Sequence, residues 1–162
     1  MFLSCVTNAL DAKGRVSVPA DFRAVIASDI ASGHFDGIIV WPSVDGSCLE
    51  GGGIALMRIF QASLDNMDPC DDDRMVFEHA IFAKSRRLAF DGNGRVSLPK
   101  DLAMNVGLDK QVTFVGLGRR FEIWNPQDYN AKSEETSAAA RESGRSLRLL
   151  GRPGVTGRGA QS

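Results

Sequence analysis

Several features that identify common protein classes are scarce in this sequence of 162 residues. Its three cysteines, Cys5, Cys48 and Cys70, are too few and too scattered for a disulfide framework or a Cys-x-x-Cys metal site. Its two histidines, His34 and His79, cannot form a zinc site by themselves. We therefore expect reduced structural thiols, imidazoles without a ligand role and no bound metal ion.

Long apolar runs are also missing. No run approaches the roughly 20 residues that span a bilayer. Residues 1–6 have neither the basic region nor the long apolar core of a signal peptide. The glycine-containing segments 92–94 and 116–118 match neither a dinucleotide-binding nor a P-loop fingerprint. These absences predict a cytoplasmic protein with no cofactor, no membrane association and no small-molecule substrate.

The net positive charge that is common in nucleic-acid-binding proteins is absent too. The formal net charge is −1, and residues 1–130 hold 13 Lys and Arg against 17 Asp and Glu, whereas residues 131–162 hold 6 against 3. Any binding of phosphates must therefore come from local clusters, because the overall field does not attract nucleic acid. The apolar content of 43% is typical of a folded globular protein rather than a disordered one.

What the sequence does contain is an internal repeat. Residues 11–22 align without gaps on residues 91–102, and seven of the twelve aligned positions are identical. In each copy Asp-x-x-Gly-Arg predicts a tight turn, because Asp bonds the backbone two residues on and Gly supplies a positive φ. The residues expected to shape the two turns are Asp11, Gly14, Asp91 and Gly94.

Around each turn the sequence predicts the order strand, turn, strand, helix, strand, turn, strand. The helices are expected to begin at Pro19 and Pro99, since the first helical position tolerates proline, and the second is expected to stop at Gly107. The closing strands are expected at 47–49 and 121–124. A unit of about 45 residues is too small to bury a good core alone. We therefore predict that the two copies pair about a pseudo-twofold axis.

Further helices are predicted outside the two copies. Apolar residues recur at helical spacing from 56 to 67, and Asp68-Pro69 opens a second helix whose apolar face includes Val76 and Phe77. A C-terminal helix is expected to start at Asn125-Pro126, an N-cap followed by a first helical residue. The chain is thus predicted to be an α+β protein with two small domains. The predicted boundaries are 5–53 for the first domain, 54–82 for the helical linker, 83–126 for the second domain, and 127–162 for the C-terminal helix and a flexible basic tail.

These features resemble the MraZ family, whose members carry two copies of the SpoVT-AbrB motif. The resemblance spans residues 1 to about 130 and is carried by Met1-Phe2, the two Asp-x-x-x-Arg turns and the segment 115–124. It implies swapped-hairpin β-α-β half-barrels related by a pseudo-twofold, and a ring-like homo-oligomer. It also implies binding to direct repeats in double-stranded promoter DNA upstream of the division and cell-wall gene cluster. At Gly51–Gly53 the sequence departs from the family, which usually continues there with an apolar and aromatic run.

The arginine that ends each turn is the principal DNA-binding candidate. At Arg15 and Arg95 a guanidinium in a tight turn can fork onto a guanine edge or a phosphate. The alternative is an ion pair within the motif that serves the structure only, worth about 0–1 kcal/mol when exposed. A carboxylate beside phosphates is unfavourable, so Asp11 and Asp91 are assigned to the shape of the turn.

Three other residues complete the set of DNA-binding candidates. Lys13 is expected to contact a phosphate. Asn93 can bond a phosphate or an adenine edge, and an exposed turn asparagine without a ligand is an equal alternative. Arg86 and Arg87 alternate on a strand, so at most one of them faces the same way as the DNA loop, and Arg86 is the candidate.

These residues leave three classes of function to weigh. A DNA-binding transcriptional regulator, cytoplasmic and nucleoid-associated, explains the repeat and its arginines. The alternative is an AbrB-like antitoxin or protein-partner module, which usually has one copy of the motif and a disordered partner-binding tail. An enzyme is disfavoured, because the sequence offers no nucleophile with a base, no paired-carboxylate motif and no metal set. No catalytic residue is therefore assigned.

Overall fold

The computed structural model of the chain describes residues 1–29 and 35–144, and it combines helices with antiparallel sheets, the α+β class that the sequence predicts. The predicted basic tail lies outside the described residues from position 145 onward. The strands are β1 (Cys5–Ala9), β2 (Arg15–Ser17), β3 (Gly37–Pro42), β4 (Leu49–Gly52), β5 (Arg86–Ala89), β6 (Arg95–Ser97), β7 (Gln111–Gly116) and β8 (Phe121–Trp124). The helices are α1 (Ala20–Ser28), α2 (Ile54–Asp65), α3 (Asp72–Phe77), α4 (Lys100–Asn105) and α5 (Pro126–Ser143), with a π-helical turn at Glu78–Phe82.

The strands of the two copies, β1–β4 and β5–β8, are interleaved in space. Six strands form one sheet in the order β1-β7-β8-β4-β3-β5, and β2 and β6 form a separate two-stranded ribbon. The first strand of each copy pairs with the third strand of the other, β1 with β7 and β5 with β3. If each strand is replaced by its counterpart in the other copy, the same strand order results, read from the opposite edge of the sheet. The two copies therefore share one sheet, which neither could complete alone.

The ribbon of β2 and β6 is centred on two equivalent valines. Val16 lies opposite Val96, and both side chains are 1% exposed. Because neighbouring residues on a strand point to opposite faces, Arg15 and Arg95 leave the ribbon on the side away from the core. The repeat thus places one apolar anchor and one outward arginine in each short strand.

The main core lies between the six-stranded sheet, the ribbon and the helices α1 and α4. Four phenylalanines from separate parts of the chain meet there, with ring centroids 5.0 to 6.2 Å apart in the contacting pairs. Edge-on and tilted ring pairs of this kind add about 0.5–1.5 kcal/mol each to the burial of their surface. The four rings belong to Phe2, Phe22, Phe114 and Phe121.

The closing strand of the first copy differs from the prediction. The sequence predicts it at 47–49, but β4 begins at the last of these positions and continues through Gly51 and Gly52. A Cβ atom on Gly51 would lie 2.5 Å from Cε2 of Phe121, and one on Gly52 would lie 2.6 Å from Cδ2 of Leu56. The glycines at these two positions therefore make room for side chains of β8 and α2.

Two glutamates face each other where the copies meet in the sheet. Glu50 of β4 is the direct partner of Glu122 of β8, an arrangement of like charges that is unfavourable by itself. Arg120 donates from Nη1 to Oε1 of both glutamates, at 3.0 Å in each case. The indoles of Trp41 and Trp124 donate to the other oxygens, at 2.8 and 2.6 Å. One arginine and two indoles thus offset the repulsion.

The helix starts differ from the predicted residues in two respects. The second linker helix, predicted to open at Asp68-Pro69, begins at Asp72 with Asp71 as its N-cap. Pro19 and Pro99 are the N-cap residues of α1 and α4 rather than their first helical residues, with extended ψ angles of 139° and 135°. Gly107 has a φ of +68° just after α4, as a C-terminal glycine requires. The predicted cap of α5 is confirmed, because Asn125 accepts the backbone N–H of Gln127 at 2.9 Å.

The linker helices differ in how much of their apolar surface is covered. In α2, Leu56, Met57 and Leu64 are buried. The apolar residues of α3 are instead exposed within the described chain, where Val76 is 60% and Phe77 45% exposed. Exposed apolar side chains of this size on one short helix are candidates for contact with a partner.

Candidate nucleic-acid interface

The first turn is held by a single carboxylate. Oδ1 of Asp11 accepts the backbone N–H groups of Lys13 and Arg15 at 2.9 and 2.8 Å, and Oδ2 accepts Nε of Arg15 at 2.7 Å. The N–H of Gly14 donates to the carbonyl oxygen of Asp11 at 3.0 Å, and Gly14 has a φ of +78°. Glycine suits this position because it adopts a positive φ without steric cost.

The second turn has the same geometry. Oδ1 of Asp91 accepts the N–H groups of Asn93 and Arg95 at 2.8 and 3.0 Å, and Oδ2 accepts Nε of Arg95 at 2.9 Å. Gly94 has a φ of +72°, and its N–H donates to the carbonyl oxygen of Asp91 at 3.0 Å. Identical residues at the repeated positions thus produce the same hydrogen bonds in both copies.

These hydrogen bonds change the acidity of both carboxyl groups. The backbone N–H of Arg15 is the largest cause that lowers the pKa of Asp11. Desolvation, the next largest effect, raises it, and the Arg15 side chain and the Lys13 backbone lower it further. The backbone N–H of Arg95 has the same role in lowering the pKa of Asp91. Both groups are carboxylates at neutral pH, so each Nε donates a charge-assisted hydrogen bond.

The two turns are joined through the ribbon. Leu98 donates its N–H to the carbonyl oxygen of Gly14 at 2.8 Å, and Val18 donates to that of Gly94 at 3.2 Å. In the ribbon Ser97 lies opposite Arg15, two positions from Arg95. With strand spacings of about 3.3 Å along and 4.8 Å across, the two arginine Cα atoms are roughly 8 Å apart. The fold therefore brings together two arginines that are far apart in sequence.

Each arginine uses only one edge of its guanidinium within the described chain. Nε is bonded to the aspartate, whereas Nη1 and Nη2 of Arg15 and Arg95 form no hydrogen bond with another described residue. The side chains are 35% and 31% exposed. A guanidinium held at Nε and open at both Nη atoms is oriented before it meets a ligand, and it can fork onto an acceptor pair of a base or phosphate.

The other predicted DNA-binding residues are placed differently. Lys13 and Asn93 occupy the same position in the two turns, and both are exposed. Arg86 lies at the start of β5, at the far end of that strand from the second turn, and donates from Nη1 to the carbonyl oxygen of Ser85 at 3.2 Å. Arg87 packs over the ring of Phe35, 5.5 Å from its centroid. The structure thus groups Lys13 and Asn93 with the arginines and leaves Arg86 apart.

Three basic residues near the turns were not singled out by the sequence pattern. Arg23 of α1 donates from Nε to the carbonyl oxygen of Val18 at 3.2 Å, and its guanidinium lies against Gly94. Lys100 and Lys110 line a cavity beside the first turn. Lys100 stands within the repeat, opposite a non-basic residue, so a comparison of the mismatched positions could have found it. Arg23 and Lys110 lie outside the twelve aligned positions, where only the fold shows their proximity.

Comparison with known proteins identifies the family. A family model described as "MraZ protein, putative antitoxin-like" matches residues 81–150. A protein of Rickettsia akari (strain Hartford) named transcriptional regulator MraZ is 38% identical over 148 residues, which cover 91% of this chain and 97% of the relative. A protein of the same name from Rickettsia bellii (strain OSU 85-389) is 40% identical over 149 residues, with the same coverage. The chain belongs to the MraZ family of transcriptional regulators.

Membership of the MraZ family confirms the resemblance inferred from the repeat. The matched regions of the Rickettsia relatives extend over nearly their whole length, so the similarity is not confined to one copy of the motif. Among the helices that the structure describes, none is long and apolar enough to cross a membrane. The two turns remain the candidate functional site of this MraZ family member.

Proposed function

We propose that the protein is a sequence-specific DNA-binding regulator of transcription that reads double-stranded DNA through its two Asp-x-x-x-Arg turns. The observation that supports this most is the state of the two arginines: each is held at Nε by an aspartate, and neither Nη atom bonds another residue of the described chain. In this proposal Arg15 and Arg95 read base edges or grip phosphates. Asp11, Gly14, Asp91 and Gly94 hold the shape of the turns.

The remaining candidates have supporting roles in the proposal. Lys13 contacts a phosphate and Asn93 contacts a phosphate or an adenine edge, since both are exposed beside an arginine. Arg86 contacts DNA only at the margin, because it lies at the far end of β5 from the second turn. The targets are the direct repeats in the promoter of the division and cell-wall gene cluster, which makes the protein cytoplasmic and nucleoid-associated.

The proposal includes assembly into a ring-like homo-oligomer. The shared sheet is compatible with swapped-hairpin half-barrels, and the exposed Met75, Val76 and Phe77 of α3 are an apolar surface for a second copy to cover. A small turn with one arginine binds weakly alone. Several turns on one rigid scaffold meet successive DNA repeats at a high effective concentration, which raises the overall affinity.

The test of base reading is a pair of substitutions at the first turn. Arg15→Ala should lose most of the preference for the DNA upstream of the protein's own gene over a shuffled duplex, since a bidentate base contact is worth about 1–3 kcal/mol per site. Arg15→Lys should keep binding to the shuffled duplex but lose the preference, because an ammonium has no planar fork. Lys132→Ala on α5 is the matched control, and its affinities should not change.

The outcomes separate reading from folding. Arg15 is part of an exposed ion pair, so both variants should unfold within about 1 kcal/mol of the parent protein in urea. Full discrimination between the two duplexes by a well-folded Arg15→Ala protein would rule out base reading by this turn.

Assembly is tested through the spacing of the DNA repeats. Inserting about 5 base pairs between two repeats turns them to opposite faces of the duplex, whereas about 10 restores the phase. We expect the first insertion to weaken binding strongly and the second much less. Light scattering that detects a stable monomer at micromolar concentration, with full affinity for the repeats, would exclude the ring.

A second candidate function is a protein-partner module of the antitoxin type. It is supported by the antitoxin-like description of the matched family model and by the exposed apolar residues of α3. Replacing Val76 and Phe77 with Ser distinguishes the two functions. Loss of a partner protein with unchanged DNA binding and subunit number favours the module, whereas a lower subunit number together with weaker DNA binding favours the ring.

A further inference from the structure

A cluster of lysines surrounds the first turn. A cavity of about 730 Å³ opens between this turn, the start of α4 and the loop before β7, and Lys13, Lys100 and Lys110 line it. All three residues are exposed. Within residues 1–29 and 35–144 none of the three ammonium groups forms an ion pair. Their charges are therefore available to a ligand.

The position of Lys110 has a counterpart of opposite charge at the second turn. The carbonyl oxygen of Lys110 accepts the N–H of Leu10 at 2.9 Å, just before the first turn. The carbonyl oxygen of Asp36 accepts the N–H of Phe90 at 3.0 Å, just before the second. The same backbone bond thus places an ammonium beside the first turn and a carboxylate beside the second.

The other two lysines have uncharged counterparts. Lys100 is the first residue of α4, and Ala20 is the first residue of α1. Lys13 occupies the position of Asn93. At three equivalent positions the first turn therefore carries three positive charges and the second carries one negative charge.

The acidic residues in the same cavity do not cancel this difference. Asp11 and Asp109 also line it. Asp11 is already paired with Arg15 at 2.7 Å, so the two charges offset each other. One carboxylate, that of Asp109, then stands against three ammonium groups, and the site remains cationic. The site is an open cleft lined by three ammonium groups, and it lies next to Arg15, which points away from the core. Such a cleft suits an anion that extends past the turn.

We propose that Lys100 and Lys110, together with Lys13, bind phosphates of the DNA backbone beside the first turn, so that this turn supplies most of the salt-dependent affinity. The inference rests on the proposed DNA-binding function. An ammonium is a compact point charge without a planar fork, so it attracts phosphates irrespective of the base sequence. The contacts therefore raise the affinity for operator and unrelated DNA alike.

The test is the salt dependence of binding by a Lys100→Gln/Lys110→Gln protein. Binding is measured between 50 and 200 mM salt on the DNA upstream of the protein's own gene and on an unrelated duplex of equal length. Each lost phosphate contact lowers the slope of log affinity against log salt by about 0.9, so two contacts lower it by about 1.8 for each subunit bound. Over this fourfold salt range that is roughly a twelvefold smaller loss of affinity. The decrease should be equal on the two duplexes.

Two further variants make the result specific to this cleft. Lys132→Gln/Arg141→Gln removes two positive charges from α5, and its slope should stay near that of the parent protein. Asp36→Lys with Ala20→Lys builds the missing charges at the second turn, and its slope should become steeper. Circular dichroism confirms that each protein is folded, as expected for substitutions of exposed residues.

The failures of the two proposals are distinguishable. If the parent protein does not prefer its upstream DNA to the unrelated duplex, the proposed function is wrong, and the inference that rests on it falls too. If the parent protein has that preference but the Lys100→Gln/Lys110→Gln slope equals that of the α5 control, only the phosphate cleft is wrong. A slope that falls on the operator alone would assign the lysines to base recognition and overturn the inference.

Discussion

The two turns of this protein are the same in their backbone and different in their surroundings. Asp11 and Asp91 accept equivalent hydrogen bonds within 0.2 Å of each other in length. Beside the first turn lies an open cleft with lysines. Beside the second, the guanidinium of Arg23 lies over Gly94, whereas the equivalent residue of α4 is Ala103. The repeat has therefore kept the geometry that orients an arginine and changed the charges that surround it.

The closing strands show the same kind of divergence inside the core. About the pairing of Glu50 with Glu122, Gly51 is the counterpart of Ile123. The position left empty by the glycine is filled by the ring of Phe121, which is fully buried. In the shared sheet, the first copy thus has a smaller residue where a side chain of the second copy fills the space. At this position the first copy therefore depends on the second for the volume of the core.

The largest loss of stability is expected at Gly51, where the ring of Phe121 fills the space over the glycine. Gly51→Ala places a Cβ atom 2.5 Å from Cε2 of Phe121, and no direction is open for a fully buried ring. Overpacking of this kind costs about 1–3 kcal/mol, and Gly51→Ile, which would equalise the two copies, should cost more. Urea unfolding measures both values.

A compensating substitution sharpens this prediction. Phe121→Leu shortens the side chain over Gly51, so Gly51→Ala should cost less in that background than in the parent protein. Equal costs in both backgrounds would show that the ring does not limit the size of the residue at position 51. Gly92→Ala is the control, because a Cβ atom there would meet nothing within 4 Å among the described residues.

The next largest effect is expected at the second turn, where the guanidinium of Arg23 lies over Gly94. Gly14→Ala and Gly94→Ala both force a non-glycine residue into a left-handed conformation, at about 1–2 kcal/mol each. Gly94→Ala must also displace Arg23, and the hydrogen bond to Val18 that would be lost is worth about 0.5–1.5 kcal/mol. Gly94→Ala should therefore cost about 1 kcal/mol less in an Arg23→Ala background, whereas the cost of Gly14→Ala should not change.

A double-mutant cycle in urea measures this coupling at each turn. A Cβ atom on residue 14 would lie 3.1 Å from the carbonyl oxygen of Leu98, and Arg23 takes no part in this contact. Coupling of equal size at both glycines would contradict the asymmetry and point to a general loosening of α1.

Much of the fold was predictable because the pattern is local. The alternation of Val-Ser-Val, the proline before each helix and the Asp-x-x-Gly-Arg turn each act within a few residues, and their order is observed in both copies. The repeat at an offset of 80 then indicated that two similar units must pair. The extension of β4 through positions 51 and 52 was missed because glycine has a low strand propensity. They are strand residues because they pair with β3, and side chains of Phe121 and Leu56 lie over them.

The candidate site was predictable only in part, for the same reason. Arg15 and Arg95 became candidates because they are repeated, and their role in binding DNA stays a prediction. Arg23, Lys100 and Lys110 reach the turns through contacts between copies, between residues up to about 100 positions apart in sequence, and no local pattern encodes those contacts. The exposure of α3 was also missed, because periodicity identifies an apolar face without indicating what covers it.

Exchanging the residues at the matching positions of the two turns should change the salt dependence of DNA binding by a smaller amount. Asn93→Lys gives the second turn the lysine of the first, and it should steepen the salt slope by about 0.9 per subunit, or roughly threefold in affinity between 50 and 200 mM salt. Lys13→Asn should flatten the slope by a similar amount. Fluorescence anisotropy with a labelled duplex measures both slopes.

The protein that carries both exchanges decides between two explanations. If position alone matters, the two changes cancel and the parent slope returns. If the lysines of the cleft act together, Lys13→Asn should lower the slope more than Asn93→Lys raises it, since the second turn lacks the neighbouring ammonium groups. A slope that neither exchange changes would remove both positions from the phosphate contacts.

The smallest effect is expected from acid, and it should be the same in both turns. The pKa of Asp11 and the pKa of Asp91 are both lowered, first by the backbone N–H of the arginine in the same turn. A carboxyl group whose pKa is lower in the folded protein contributes stability that is present above its unfolded pKa, 3.8 for aspartate, and is lost as the pH falls through the folded value. The turns should therefore stay intact through neutral and mildly acidic pH and loosen only below that value.

NMR titration of the backbone amides of Arg15 and Arg95 follows this change directly. Both resonances should move with midpoints below 3.8, the ordinary value for aspartate. Asp11→Asn should abolish the response of Arg15 and leave that of Arg95, because each carboxylate bonds only its own turn in the described chain. Midpoints at or above the ordinary value would show that the hydrogen bonds do not hold the turns. Clearly different midpoints would show that the unequal surroundings also reach the carboxylates, and the backbone equivalence of the turns would then be confined to geometry.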